Sequence, residues 1–247
     1  MKPARFDSID ALRGVAVVWM TVFHFCFDLN QFGYIKQNFY SDTFWTYQRA
    51  AIVSLFIFCA GFSQAIAAHQ GQTPARFWRR WVQVAGCAIL VTAGSYWMYP
   101  KSFIYFGVLH GIAAMLLVVR ATTGRLRWGL WLWPLGALAI AMPFIASRAH
   151  VNWPEADFLN QKAFNWLGLV SRKPITEDYV PLLPWLGVMW WGVAAGQFWL
   201  QRSAGWLTAP IPRMLAPAAW LGRWSLSWYM LHQPVMIGVL MALAYLK

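Results

Sequence analysis

Long stretches of this chain contain no acidic residue. No Asp or Glu occurs between Asp42 and Glu155 or after Asp178, and 60% of the 247 residues are hydrophobic whereas only 11% are charged. A typical soluble domain has about 45–50% apolar and about 25% charged residues. A chain of this composition exposes an apolar surface, which is more stable in contact with lipid than with water. We therefore expect an integral membrane protein.

Seven apolar segments are long enough to cross a bilayer, because a hydrocarbon core of about 30 Å needs about 20 mainly apolar residues. They lie near residues 10–29, 48–68, 80–99, 103–119, 128–147, 181–200 and 223–245. Prolines interrupt the segment 203–221, which favours an interfacial or re-entrant position for it. The predicted fold is an all-α, polytopic membrane helix bundle of about seven transmembrane helices in one domain, residues 1–247.

Basic residues are concentrated on one predicted side of the membrane. With the N-terminus in the cytoplasm, the inner segments contain Lys2, Arg5, Arg13, Arg76, Arg79, Arg80, Arg120, Arg125, Arg127, Arg202, Arg213 and Arg223. The outer segments, which are longer, contain Lys36, Arg49, Lys101, Arg148, Lys162, Arg172, Lys173 and Lys247. We expect a multi-pass plasma membrane protein, and the positive-inside rule predicts that its N-terminus is cytoplasmic and its C-terminus is outside. Topology also explains the net charge of +12 without a nucleic-acid partner.

The three cysteines, Cys26, Cys59 and Cys87, lie in predicted spans and lack the spacing of metal ligands. We expect neither a disulfide framework nor a bound metal. Free cysteines of this kind are usually buried, small apolar residues.

Polar residues recur along one face of the first predicted span. Spacings of three and four place six residues on it: Asp10, Gly14, Val17, Thr21, His24 and Asp28. This face must look into the protein, because a charge at the centre of a membrane helix costs about 2.5–3.5 kcal/mol. Asp10 can pair with Arg13 near the inner end, whereas His24 lies about 21 Å further along the helix axis. The face therefore links the two sides of the membrane.

An outer polar cluster follows from the predicted topology. Arg49 opens the second span, and Asp178 with Tyr179 precedes the sixth, so these residues share the outer level with His24 and Asp28. A carboxylate beside an imidazole orients the ring and raises its basicity, as a general base requires. An alternative is that Arg49 only extends its charge to the lipid headgroups. Asp10 and Arg13 could likewise form only a helix cap and its ion pair.

Two further histidines lie in predicted spans. His110 follows Gly107 in a segment of small residues, and His232 precedes Pro234, which predicts a kink. Either histidine could bind a ligand or could simply form a hydrogen bond between two helices.

Several segments of the sequence resemble those of a known protein family. Residues 5–33, RFDSIDALRGVAVVWMTVFHFCFDLNQFG, closely resemble the opening of the bacterial heparan-alpha-glucosaminide N-acetyltransferase-like membrane proteins, within the transmembrane acyltransferase superfamily. Asp10, Arg13, Gly14 and His24 also match the D-x-x-R-[GA] and His opening of acyltransferase family 3. The resemblance continues in FIFCAGFS, FGVLHGI, DYVPLLPWLGV and LGRWSLSWYMLHQPV, and so covers nearly the whole chain.

The resemblance implies a transmembrane acyltransferase domain. Its donor would be cytoplasmic acetyl-CoA or another acyl-CoA, and its acceptor a hydroxyl or amine, such as that of a sugar, at the outer face. The family also implies an acetylated histidine in a far-side segment, but this chain has no His between Phe25 and Ala68. The family 3 pattern and the position of His24 on the polar face support it as a general base.

The other roles follow from this assignment. Asp28 is expected to orient His24, and Arg49 to neutralise the developing oxyanion or bind the acceptor. Asp178 and Tyr179 are expected to contact the acceptor. The donor site is expected at the inner mouth, where arginines suit phosphates. Its residues are Asp10, Arg13, Arg223, His110 and His232.

Two other classes of function stay open. Intramembrane charges also mark translocation paths, so a non-catalytic transporter or assembly partner is one alternative. Three intramembrane histidines could instead ligate haem in an electron-transfer protein. Binding of a coenzyme A ester distinguishes the enzyme from the transporter, and an absorbance spectrum detects haem. Homo-oligomerisation is left open by the sequence.

Overall fold

The computed structural model describes residues 6–123, 129–152, 154–202 and 205–246. Within these ranges the regular structure is helical, apart from one isolated parallel β-bridge between Phe106 and Tyr179. The predicted all-α fold is confirmed. Five members of the charge pattern lie outside the described residues: Lys2, Arg5, Arg125, Arg127 and Lys247.

One helix overlaps each of the seven predicted segments. These helices are α1 (Asp7–Gln31), α2 (Thr43–His69), α3 (Pro74–Met98), α4 (Val108–Thr123), α5 (Leu132–Asn152), α6 (Leu182–Gln201) and α9 (Ser225–Tyr245). The interrupted segment before α9 contains two short helices, α7 (Gly205–Thr208) and α8 (Ala216–Arg223). Three 3₁₀ turns complete the described structure: Pro154–Asn160, Asn165–Leu167 and Arg213–Leu215.

Four helices among the described residues are long and apolar enough to cross a membrane: α1, α2, α3 and α9. The apolar stretches Val108–Thr122 and Leu132–Arg148 are shorter. The chain therefore has the helices of a membrane protein, as expected.

Several helix starts differ from the predicted boundaries by five or six residues: α2 and α3 begin earlier, at Thr43 and Pro74, and α4 begins later. The fourth apolar segment was expected to begin near residue 103, but α4 begins at Val108. The Val108 N–H donates to Asp178 Oδ2 at 2.7 Å, so a carboxylate from a distant part of the chain satisfies a free amide of the first turn. Tyr105 and Gly107 therefore precede the helix.

The chain divides into two compact units. The terminal unit comprises Met1–Cys59 and Ala204–Lys247, and the central unit comprises Ala60–Ser203, so the boundary falls within α2.

In the terminal unit, glycines allow α1 and α8 to approach each other closely. A Cβ atom on Gly14 would overlap the carbonyl of Ala218, and one on Gly222 would overlap the carbonyl of Asp10. Small residues allow such backbone approach in membrane helices, where packing replaces the hydrophobic effect as the driving force. Beyond the contact with α8, this unit contains a core of buried residues: Met20, Phe23, Phe39 and Ile52.

In the central unit, α6 packs closely against two other helices. Gly61 of α2 faces the carbonyl of Met189, and Gly136 of α5 packs against Gly187. The helices α3 and α4 are also joined, because Trp81 Nε1 donates to the Ala113 carbonyl at 2.9 Å.

Candidate active site

Helices α1 and α9 are joined by three side-chain hydrogen bonds. They are Trp228 Nε1 to Thr21 Oγ1 (2.9 Å), His24 Nδ1 with His232 Nε2 (2.7 Å), and Gln233 Nε2 to Asp28 Oδ1 (2.6 Å). The paired positions advance in the same direction along both helices, so α1 and α9 run parallel. The predicted polar face of α1 is therefore covered by α9 in its C-terminal half.

The two histidines form the centre of this contact. Their ring centroids are 5.0 Å apart and their planes differ by 14°. His232 is 7% exposed, and its Nδ1 lies 3.1 Å from the Trp228 carbonyl oxygen and 2.9 Å from that of Tyr229. His24 is half-buried, with Phe23 packed edge-on against it. The structure thus places His232 beside His24, whereas the sequence assigned the two residues to different sites.

Asp28 has a different partner from the one expected. The sequence predicted that it would orient His24, but its Oδ1 accepts from Gln233 and its Oδ2 has no partner among the described residues. Asp28 is 3% exposed, so this unpaired oxygen is buried. Spacing on α1 correctly placed Asp28 and His24 on one face, but each side chain finds its partner on α9.

Gln233 is a site residue that sequence reasoning missed. Its Oε1 is also buried and lacks a hydrogen-bond partner within the described part of the chain. The available signal was its position directly after His232 and before Pro234, where the sequence already predicted an irregular helix.

The N-terminal end of α1 brings together three of the five residues predicted for the donor site. Arg13 Nη1 lies 3.1 Å from Asp10 Oδ1, and Arg223 Nε lies 3.7 Å from Asp10 Oδ2. Arg223 Nη2 also pairs with Asp7 Oδ1 at 2.6 Å, which adds a residue that the sequence did not single out. We call these four residues, Asp7, Asp10, Arg13 and Arg223, the inner cluster, after the side of the membrane that the sequence predicts for them. Its two arginines are balanced by two carboxylates.

Arg49 lies in the first half of α2 and is half-buried. The neighbouring Gln48 links α2 to α1, because Trp19 Nε1 donates to Gln48 Oε1 at 2.5 Å. The structure therefore places Arg49 in the terminal unit with His24 and Asp28, without a hydrogen bond to either among the described residues.

His110 lies in the central unit and connects α4 to α3. The Gly107 N–H donates to its Nδ1 at 3.3 Å, so its proton is on Nε2, which lies 3.0 Å from Thr92 Oγ1. The Thr92 hydroxyl in turn donates to the Ile104 carbonyl at 2.7 Å. Both ring nitrogens are thus used in bonds between structural elements.

Asp178 and Tyr179 also lie in the central unit, and both bond within it. Asp178 caps α4 through Val108, and the Tyr179 hydroxyl donates to the Asn165 carbonyl at 2.6 Å. Burial raises the pKa of the Tyr179 phenol, and the neighbouring Tyr105 raises it further. Tyr179 therefore stays a neutral hydrogen-bond donor.

These features define a class of protein. A helical chain with four helices able to cross a membrane, and with a pair of histidines between two of them, is an integral membrane protein with an intramembrane polar site.

The family follows from comparison with known proteins. A family model described as heparan-alpha-glucosaminide N-acetyltransferase, catalytic, matches residues 5–234. The chain belongs to this family, as its opening and later segments predicted. No curated protein and no solved structure matches. Membership indicates a membrane acetyltransferase, and acetyl-CoA is the donor that this family uses in general.

Proposed function

We propose that this protein transfers an acyl group, in particular acetyl, from acyl-CoA at the cytoplasmic face to a hydroxyl or amine acceptor, such as that of a sugar, at the outer face. The observation that carries the proposal is the contact of His24 with His232 inside a helix pair of an acetyltransferase-family chain. Imidazole is the commonest general base, and a histidine kept inside a membrane helix is expected to be functional.

The chemistry needs one base and one leaving-group acid. His24 removes the proton from the acceptor nitrogen or oxygen, which attacks the thioester carbon. The C–N or C–O bond forms while the C–S bond breaks, and the thiolate takes the proton back from His24. The products are the acylated acceptor and free coenzyme A, so atoms and charge balance without a further reactant.

We place the acceptor beside Asp28 and Gln233. Two buried oxygens, Asp28 Oδ2 and Gln233 Oε1, have no donor among the described residues. An acceptor N–H or O–H supplies the missing hydrogen bonds, which removes the cost of leaving buried polar atoms unpaired. Asp28 is one turn from His24, about 6 Å along α1. Arg49, in the same unit, is the residue proposed to neutralise the oxyanion.

We place the donor phosphates at the inner cluster. Arg223 supports this role because its side chain is 38% exposed and available to a ligand. A phosphate must displace a carboxylate to bind here, since both arginines are already paired. A pantetheine arm then extends along the roughly 21 Å between Asp10 and His24. We propose structural roles for His110, Asp178 and Tyr179, which bond within the central unit.

The parallel course of α1 and α9 supports the proposed topology. If two parallel helices are the first and last membrane spans, the chain crosses the membrane an odd number of times. Four spans would not satisfy this parity, and we propose that further apolar helices cross as well. Seven spans, with the N-terminus inside and the C-terminus outside, satisfy both the parity and the distribution of Lys and Arg.

The proposed function is tested in vesicles that contain the purified protein. Radiolabelled acetyl-CoA is supplied on the side of the N-terminus, with methyl α-glucosaminide or methyl α-glucoside on the other side. The proposal expects an acetylated sugar and free coenzyme A in equal amounts. Label that crosses unchanged would identify a transporter, and the absence of both donor binding and transfer would contradict the proposal.

A further inference from the structure

The hydrogen bonds around His232 determine where its proton lies. Its Nδ1 faces the carbonyl oxygens of Trp228 and Tyr229 at 3.1 and 2.9 Å. A carbonyl oxygen can only accept a hydrogen bond, so Nδ1 must carry the proton. A neutral imidazole has one N–H, which leaves a lone pair on Nε2.

The protonation state of His24 follows from that of His232. The 2.7 Å contact between His24 Nδ1 and His232 Nε2 needs one proton between the two atoms. Because His232 Nε2 has the lone pair, the proton belongs to His24 Nδ1. His24 Nε2 is then unprotonated.

The pair is neutral rather than cationic. His232 is 7% exposed, and neither ring bonds to a carboxylate among the described residues. A buried imidazolium without a counter-ion would carry a large desolvation cost. The two rings therefore share the neutral arrangement, in which each Nδ1 carries a proton.

We propose that His232 is a positioning residue that holds His24 in the Nδ1–H form and leaves His24 Nε2 as the reacting base. This inference rests on the proposed function only where it concerns the reaction. In that step the acceptor X–H bond breaks, a new Nε2–H bond forms on His24, and the Nδ1–H bond to His232 is kept. The resulting imidazolium is stabilised by a charge-assisted hydrogen bond to His232.

The tautomer with the proton on Nε2 is the ordinary one for a free neutral imidazole. A histidine in solution favours the proton on Nε2, which would leave His24 without a lone pair at that nitrogen. Loss of the residue that fixes the imidazole tautomer lowers the turnover of a serine protease by about 10⁴-fold. His232 provides the same kind of control here, anchored by the backbone of its own helix.

The test is nitrogen NMR of the intact protein, labelled with ¹⁵N-histidine and held in lipid nanodiscs at neutral pH. The His24 signals are assigned by their loss in His24→Ala. We expect a protonated signal for Nδ1 and an unprotonated signal for Nε2, with a coupling across the hydrogen bond to His232. A protonated Nε2 on His24 in the parent protein would overturn the inference, whatever the activity.

Two variants of His232 separate positioning from packing. His232→Leu removes the acceptor, so the His24 proton should move to Nε2 and turnover should fall by about 10²-fold or more with little change in KM. His232→Gln supplies a carbonyl that accepts from His24 Nδ1, so it should restore the signal pattern and part of the turnover. An unchanged His24 pattern in His232→Leu would contradict the inference.

A matched control and an activity measurement complete the design. His110→Gln changes a histidine of the central unit, so the His24 signals should stay in place. If the parent shows the expected pattern but transfers no acyl group, the inference stands and the proposed function fails. If the parent transfers acetyl with Nε2 of His24 protonated, the proposed function stands and the positioning role fails.

Discussion

His24 Nδ1 lies 2.7 Å from His232 Nε2, although 208 positions separate the two residues in the chain. The contact fixes the C-terminal half of α1 against α9. The same two helices are joined one turn further along α1 by Asp28 and Gln233. The acceptor site proposed here is built on these two neighbouring pairs.

The first prediction separates two possible roles of Asp28. If its unpaired oxygen binds the acceptor, Asp28→Asn should raise the acceptor KM by about tenfold or more, because a hydrogen bond to a charged group contributes about 1.5–3 kcal/mol. Its kcat should change little. Steady-state kinetics with a varied acceptor give both values. A fall in kcat at constant KM would instead support the orienting role that the sequence suggested.

Gln233→Leu provides the matched test on α9. It removes the second buried oxygen while keeping an apolar side chain of similar size. We expect the same direction of change in acceptor KM and a smaller effect, because the lost group is neutral. If both variants bind acetyl-CoA as tightly as the parent, the change in KM concerns the acceptor site.

The helices could be predicted because the bilayer sets their length. One helix overlaps each apolar segment of about 20 residues, whereas the described residues 205–221, which include three prolines, form only short helices. The start of α4 could not be predicted, because its first amide is capped by Asp178, 70 residues away. Local sequence carries no signal for such a contact.

The candidate site was predicted in part. Spacing along α1 identified the polar face that includes His24 and Asp28, because helical periodicity fixes which residues share a face. It does not identify which helix covers that face. The partners His232 and Gln233, and the pairing of Asp7 with Arg223, therefore needed the tertiary structure.

The second prediction concerns the donor site. Arg223→Gln and Arg13→Gln should each weaken binding of acetyl-CoA by about tenfold or more, since a charged hydrogen bond to phosphate is lost. Isothermal titration with acetyl-CoA measures the change, and added salt should weaken binding in the parent.

Asp7→Asn is the informative control for that site. It removes the closer of the two carboxylates that pair with Arg223, so acetyl-CoA should bind more tightly than to the parent. Stability should change by less than about 1 kcal/mol, because exposed ion pairs contribute little. Unchanged donor affinity in all three variants would move the phosphate site away from the inner cluster.

The third prediction concerns the packing of α1 against α8. A Cβ atom on Gly222 would overlap the Asp10 carbonyl, so Gly222→Ala should destabilise the protein by about 1–3 kcal/mol. Gly238→Ala on α9 is the control, because nothing lies within 4 Å of its Cβ position. Thermal unfolding in detergent compares them. Equal midpoints would show that α8 does not pack on α1 as described.

The fourth prediction concerns topology. A reporter fused after Lys247 should be exported, and one fused within residues 70–79 should stay in the cytoplasm. An odd number of crossings and the distribution of basic residues both lead to this result. A cytoplasmic reporter at the C-terminus would mean an even number of crossings, which would exclude parallel α1 and α9 as the first and last spans.

The most direct test of the central claim is acetyl transfer by His24→Ala in the vesicle assay. A general base contributes about 10²–10⁴-fold, so turnover should fall by that factor while acetyl-CoA affinity and thermal stability stay near those of the parent. The replacement removes a half-buried ring from the helix contact without touching the inner cluster. Full turnover in His24→Ala would contradict the account. A His24→Ala protein that loses activity only because it unfolds would also contradict the account, since His24 would then be a packing residue.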